Sequence, residues 1–195
     1  MDHWFSADYH LGHANIIEYC GRPFKNIEHM NSEIIRRHNA IVKPEDTVYH
    51  LGDFCFKNTL NRGEGLPITA GEYRKQLNGH LIFIRGNHDN NNSCKTIMNK
   101  AELELFGWKV LIQHEPTHID YKYPLILCGH IHEKWLSYCS IFGVSKTILI
   151  NVGVDRWNFQ PISFRTILKT YHKVLKGLKL SQPLVEEVKD DTKNN

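Results

Sequence analysis

No apolar run in this chain reaches the roughly 20 residues that a membrane-spanning helix needs, so no helical span is expected. No two of the five cysteines (Cys20, Cys55, Cys94, Cys128 and Cys139) stand as C-x-x-C, and their number is odd. That argues against a zinc ribbon and against a disulfide framework. The opening MDHWFSADYH lacks the basic segment and apolar run of a secretory signal, so a reducing, cytoplasmic setting is expected. An excess of one charge is also missing: 24 Lys and Arg stand against 21 Asp and Glu, a net charge of +3. A nucleic-acid binder carries a stronger and more clustered basic footprint, so that partner is not indicated. There is no internal repeat, no low-complexity segment and no linker that would split the chain.

What is present describes an ordinary globular protein: 195 residues, 41% hydrophobic and 23% charged. The pattern predicts one domain over residues 1–180, followed by a polar tail at 181–195. The one unusual count is 13 histidines. Most surface histidines are inert, so their positions matter more than their number.

Apolar runs predict strands at 2–8, 47–51, 80–84, 123–128 and 146–154, and a hairpin about Gly107-Trp108 joining AELELF to KVLIQH. Asn26 is placed to cap a helix over 27–42, with Ile27, Met30, Ile34 and Ile41 on one face. Thr69 and Glu72 form a capping-box pattern for a short helix reaching Asn78, with Gly79 after it. Ser163 precedes an amphipathic helix running to Leu178. Helices interleave with buried strands, which predicts a layered α/β domain.

The strands share a habit: each ends in residues that can hold a metal. The first runs into Asp8-Tyr9-His10, the second into Gly52-Asp53, and the third into Gly86-Asn87-His88-Asp89. The hairpin ends at His114, and LILC runs into Gly129-His130-Ile131-His132. In open α/β sheets the carboxyl ends of the strands form the ligand crevice, which can gather these residues. The i, i+2 pairs Asp8/His10 and His130/His132 would point to one side of an extended chain. The glycines before Asp53, Asn87 and His130 permit tight turns and close backbone approach. Taken singly, each piece reads as a turn or a surface histidine. The ordered series, each member following an apolar run, does not.

This series resembles the calcineurin-like metallophosphoesterase superfamily, in particular its compact bacterial and phage-type members. NVGVDRWNFQPIS (151–163) is similar to the way such members finish their sheet. The resemblance implies a four-layer α/β/β/α sandwich with a two-metal site. It implies Asp8, His10 and His132 as ligands of one ion, Asp53 as the bridge, and Asn87, His114 and His130 as ligands of the other. It implies His88 as the acid that protonates the leaving group, with Asp89 as its orienting partner. Many members read Gly-Asp-x-x-Asp; here the fifth position is Phe56, and the frequent Asp-Arg-Gly extension is missing. Those departures bear on substrate contacts, not on the ligands.

The chemistry fits the residues. Nitrogen and oxygen donors without thiolate suit manganese first, with iron, zinc or nickel as alternatives. Two divalent ions against the carboxylates of Asp8 and Asp53 leave net positive charge for a phosphate. Such a pair can also hold a bridging hydroxide for in-line attack. The expected activity is hydrolysis of a phosphodiester or phosphomonoester on a small phosphorylated substrate, with nucleotide-like esters among the candidates. The alternatives are a metal-binding scaffold that keeps the fold without catalysis, or a metal-dependent nuclease.

Several residues carry competing readings. His114-Glu115-Pro116-Thr117-His118 matches the zinc-protease pattern H-E-x-x-H, but Pro116 disfavours the helix that pattern requires. His13 is a candidate for substrate contact, and Arg85 for phosphate. Arg22, Lys57 and Arg62 read as surface charge. His3, His29, His38, His50, His80 and His172 read as structural or solvent-exposed. Trp108, Trp135 and Trp157 read as easily core as stacking platform.

Overall fold

Two sheets carry the chain. In the computed structural model, which describes residues 1–56, 66, 68–89, 96 and 98–178, the strands are β1 (His3–Ser6), β2 (Thr47–Leu51), β3 (His80–Ile84), β4 (Lys100–Leu105), β5 (Trp108–Gln113), β6 (Leu125–Cys128), β7 (Ser137–Phe142), β8 (Ser145–Asn151) and β9 (Ile162–Ser163). The first sheet has the order β3-β2-β1-β9 and the second β4-β5-β6-β8-β7. β1, β2 and β3 are parallel to one another, and so are β5, β6 and β8. The expected tail at 181–195 and Lys57 and Arg62 lie outside the described residues.

Alternation explains how the sheets face each other. Phe5, Tyr49, Leu51 and Ile84 from the first sheet meet Val110, Ile112, Leu125, Leu127, Ile148 and Ile150 from the second in one buried cluster. The intervening residues point outward. Val48 and Leu81 join Met30 and Ile34 of helix α2 (Ile27–Ile41), while Leu111, Ile126 and Leu149 pack with Tyr123 and Trp135. A strand buried on both faces has no solvent-facing side, which is why β6 reads as the unbroken run LILC and β8 carries the apolar run 148–150.

Helices follow their caps. Asn26 Oδ1 accepts the His29 N–H at 2.9 Å, starting α2 as expected. The Thr69–Glu72 capping box forms and starts α3 (Ala70–Arg74), which stops four residues short of Asn78; Gly79 follows at φ +90°. Ser163 Oγ accepts the Thr166 N–H at the start of α4 (Phe164–Leu178). Phe164, Ile167 and Tyr171 of α4 enter the cluster between the sheets. Elements absent from the sequence reading are a one-turn helix α1 (Ile16–Tyr19), a 3-10 turn at Val154–Arg156, and strands β7 and β9. β7 is an edge strand with only half-buried and exposed residues, so its apolar pattern is weak. Trp108 and Trp157 pack against the inter-sheet cluster and Trp135 against the outer one, so all three serve the core.

Two histidines, His38 and His50, are buried in the first sheet's outer layer. His38 Nδ1 lies 2.8 Å from the Tyr9 hydroxyl and its Nε2 2.9 Å from the Asn78 carbonyl. A carbonyl only accepts, so Nε2 carries the proton and Nδ1 accepts from Tyr9. Burial pushes the His38 pKa down to about 4. Below pH 6.5 the unfolded chain takes a proton that folded His38 refuses. Stability is therefore expected to fall as pH drops from 6.5 toward 4, by an amount on the order of 3 kcal/mol for this group. Urea unfolding of metal-free wild type and His38→Gln between pH 7 and 4.5 checks this; the variant should show the shallower acid loss.

Candidate metal centre

The parallel strands bring their carboxyl ends to one edge. There β1 hands over to Asp8 and β2 to Asp53, while β3 leads to Asn87. On the second sheet β5 leads to His114, and β6 to His130 and His132. The two sheets are tied at this edge by an Ala7–Gly153 bridge and by the Val154 N–H donating to the Ala7 carbonyl at 3.1 Å. The crevice expected from the strand order is thus the place where both sheets meet.

The backbone here is unusual. Asp8, His10, Asp53, His130 and His132 all have positive φ, between 47° and 71°. Left-handed non-glycine residues are costly and persist where the surroundings over-determine them, as at functional sites. This changes the reason for the i, i+2 pairing. Asp8 and His10 do reach one group, but through left-handed turns, not along extended chain. His130 and His132 do not share a group at all. Close approach also demands glycine: a Cβ on Gly153 would stand 2.7 Å from Asp8 Oδ2, and one on Gly86 would collide with the Asp53 carboxylate.

Two clusters result. Donor atoms of Asp8, His10 and His132 lie within 4.8 Å of one another, and so do those of Asp53, His114 and His130. Asp53 Oδ2 stands between the clusters, 3.5 Å from His10 Nε2 and 3.4 Å from His114 Nε2. The Asn87 amide oxygen lies 3.0 Å from His114 Nε2 and 2.9 Å from His130 Nδ1, adding a donor to the second cluster. His10 Nε2 is buried and makes no hydrogen bond. A desolvated lone pair aimed at carboxylates is costly unless a cation completes it, so the donor set fits a divalent metal.

A supporting layer aims these donors, and the sequence reading missed its main member. His132 Nδ1 donates to Asp155 Oδ2 at 3.0 Å, which leaves Nε2 for the first cluster. Asp155 in turn accepts from Arg22 Nε at 2.8 Å and Nη2 at 2.9 Å. Arg22 also donates to the Asp8 and Tyr9 carbonyls. It is 4% exposed, so the surface-charge expectation for Arg22 is corrected: a fork-shaped cation whose donors are met on both sides belongs inside. Asp155 has the same signature as Asp8 and Asp53, an acid directly after a buried apolar run. His114 Nδ1 donates to the Leu51 carbonyl at 2.7 Å, freeing its Nε2 in the same way. Cys20 also stands within 4.8 Å of His132 and Asp155, but both Asp155 oxygens are already engaged by Arg22. Replacing Asp155 by Asn should weaken metal binding by about 10–100-fold. It should also lower stability by roughly 3–5 kcal/mol, because Arg22 is left buried without its anion. Metal titration and thermal melts of Asp155→Asn check both.

Burial and charge set the protonation of the metal-free site. Burial pushes Asp8 up to about 6 and holds His10 well below the usual imidazole range, with the Arg22 charge adding to the latter. His13 falls to about 4 through burial and its neighbour His88. For His114 burial is outweighed by the Asp53 and Asp8 carboxylates, giving about 9, and for His132 by Asp155, giving about 10. His130 is lowered by burial and by His114. Burial would raise Asp53 and Asp155, but their imidazole partners and, for Asp155, Arg22 hold them down. A metal ligand must present a lone pair, so a metal taken up by these clusters would release the protons of His114 and His132.

The remaining expected residues surround these clusters. His88 is exposed, its ring centroid 5.3 Å from that of His10 and its N–H donating to Asp53 Oδ1 at 2.9 Å. Asp89 is buried and its carboxylate accepts three backbone N–H groups: Gly86 at 2.7 Å, Asp53 at 3.0 Å and Phe54 at 3.1 Å. It therefore clamps the turn that carries His88 onto the loop that carries Asp53. His13 is buried, with its Nδ1 3.4 Å from His10 Nδ1. Arg85 is exposed and lines an open cleft of about 570 Å³ with Asn87, Lys100, Gln113, His114 and His118. Residues 114–118 are not helical and His118 is exposed, so the H-E-x-x-H pattern has no protease geometry.

Comparison with known proteins agrees with this geometry. Residues 1–168 match the family model of the calcineurin-like phosphoesterase superfamily domain. The chain is 37% identical over 173 residues to the uncharacterized protein MJ1445 of Methanocaldococcus jannaschii, covering 86% of this chain and 89% of that one. It is 29% identical over 125 residues to the Gene 66 protein of Mycobacterium phage L5, covering 63% of this chain and 55% of that one. The crystal structure of the protein of unknown function AQ665 from Aquifex aeolicus superposes with a TM-score of 0.61 at 24% identity, covering 87% of this chain and 98% of that one, a likeness of fold. Among the described residues no helix is long and apolar enough to cross a membrane.

Proposed function

The chain belongs to the calcineurin-like phosphoesterase superfamily, and from that premise we propose that it is a metal-dependent hydrolase of phosphoric esters. The observation that carries the reading is Asp53 Oδ2, which lies within 3.5 Å of an imidazole nitrogen of each cluster. In this reading Asp8, His10 and His132 hold one divalent ion. Asn87, His114 and His130 hold the other, and Asp53 is shared. When bound, the two ions supply Lewis acidity toward a phosphoryl group and a water made nucleophilic at neutral pH. Manganese suits the mixed oxygen and nitrogen donors, as do iron and zinc.

The chain's own residues do the rest. Arg22, Asp155 and the Leu51 carbonyl fix the imidazoles so that little reorganisation is needed when substrate arrives. His88, on the rim and tied through its N–H to Asp53, is placed to give a proton to the leaving oxygen. Asp89 holds the turn that presents it. Arg85, on the cleft wall, is a contact for substrate anion. The substrate is a small phosphorylated ester.

The competing reading is a scaffold that binds metal without turnover. An exposed imidazole beside complete ligand clusters favours the enzyme. Metal analysis, combined with hydrolysis of generic phosphomonoesters and phosphodiesters by manganese-loaded protein, decides between them. Two ions per chain with turnover of either ester class supports the enzyme. Two ions with neither ester cleaved leaves the scaffold.

A further inference from the structure

We infer that the flank beside the first cluster is a stacking platform for a planar ring, which makes nucleotides and their esters the substrate class; this rests on the phosphoesterase reading of the site. The first observation is the motif departure at Phe56. Where the Gly-Asp-x-x-Asp pattern has a carboxylate, this chain has an aromatic ring. Phe56 lies flat against His13, with ring centroids 4.5 Å apart and planes 15° apart. Further rings adjoin this pair, tilted on the metal side and edge-on toward Tyr19. His13 is 5.4 Å from His10 and 6.1 Å from His88 on the metal side, and 6.2 Å from Tyr19 on the solvent side. Phe56 is itself 6.5 Å from His88.

Tyr19 is 71% exposed on the one-turn helix α1. One exposed aromatic is ordinary. This one ends a series of adjoining rings that begins at a residue of the metal cluster. The opposite flank differs in kind: the 570 Å³ cleft there is lined by Arg85, Lys100, Gln113 and His118. A phosphate ester with a planar ring at one end and a polar or charged remainder at the other matches both flanks. Stacking is tolerant of which base is presented, so a ring preference without base specificity is expected.

Calorimetry on manganese-loaded protein tests this through binding alone, comparing adenosine 5′-monophosphate with ribose 5-phosphate, each supplied as its non-hydrolysable 5′-phosphonate. The nucleotide should bind about 10-fold tighter in wild type, the low end of what one stacked base contributes. That ratio should fall toward one in Tyr19→Ala and in Phe56→Asp, and persist in Tyr19→Phe. Reading the ratio cancels any general loss of metal in a variant. Equal affinities in wild type, or a preference that survives both Tyr19→Ala and Phe56→Asp, would overturn the platform. If ribose 5-phosphate binds and the base adds nothing, the platform alone fails. If neither phosphate binds, the reading of the metal centre fails with it. A 5′-phosphorylated pentanucleotide bound no tighter than the mononucleotide identifies a free nucleotide as the ligand. Much tighter binding keeps the platform and moves its ligand to a strand end.

Discussion

Asp53→Asn should reduce the metal content from two ions per chain to one or fewer and lower phosphoesterase turnover by about 10³-fold or more. The reason lies in where the two carboxylate oxygens point. Oδ1 accepts the His88 N–H at 2.9 Å, while Oδ2 faces His10 Nε2 and His114 Nε2 across the gap between the clusters. An amide has one oxygen and one NH₂ group. The oxygen would stay with the His88 N–H, which needs an acceptor, and the NH₂ would then face the ions. The same change removes one of the two carboxylates, Asp8 and Asp53, that would offset the charge of two divalent cations. Shape is preserved, so the fold should survive. Plasma spectrometry and ester hydrolysis on the purified variant measure the effect. Two bound ions with near-normal turnover would remove Asp53 from the bridging position.

His88→Ala should keep both ions and lose rate selectively. His88 stands in neither cluster; it is exposed, and its side chain lies beside His10 on the rim. Truncation therefore leaves the donor atoms in place, and the backbone N–H that bonds Asp53 is retained. What goes, if the proposed function holds, is the proton donor. A general acid contributes about 10²–10⁴-fold, and only when the leaving oxygen is basic enough to need the proton. Alkyl phosphate esters should slow by that range, while p-nitrophenyl esters, whose leaving group departs unprotonated, should slow far less. Equal loss on both substrates, or loss of metal, would mean that His88 positions the site and does not donate.

Much of this site is legible without coordinates. The strands that lead to Asp8, Asp53, His114 and His130 are buried at their carboxyl ends, and such burial admits few polar residues until the strand stops; β3, which leads to Asn87, is an edge strand with His80 and Ile82 exposed. The polar residue that follows a buried run is therefore conspicuous. Asp155 obeys the same rule but stands out less, because it follows the last long strand and supports a ligand without being in either of the two clusters that Asp53 joins. Other features are not legible. Arg22 looks like any surface cation, since nothing local reveals that the Asp8 and Tyr9 carbonyls and the Asp155 carboxylate converge on it. Asp89 sits next to His88 in the chain, yet its carboxylate reaches back to the amides of Gly86, Asp53 and Phe54. β7 lacks a clean alternation because an edge strand is wetted on more than one side.

The sequence by itself determined which residues would line the crevice and in what order, because hydrophobic periodicity dictates where each strand stops and short-range spacing dictates what stands there. Only the tertiary structure decided how they divide. Asp8, His10, Asp53, His130 and His132 adopt left-handed backbone, which Asp and His tolerate better than most residues but do not choose unaided. They hold it because packing between the two sheets, and glycines that admit the neighbouring chain, leave no other fit. That backbone sends His130 to one cluster and His132 to the other, although they are two residues apart. Left-handed turns of this kind are stabilised by contacts distant in the chain, and such contacts leave no periodic trace in the residues that obey them.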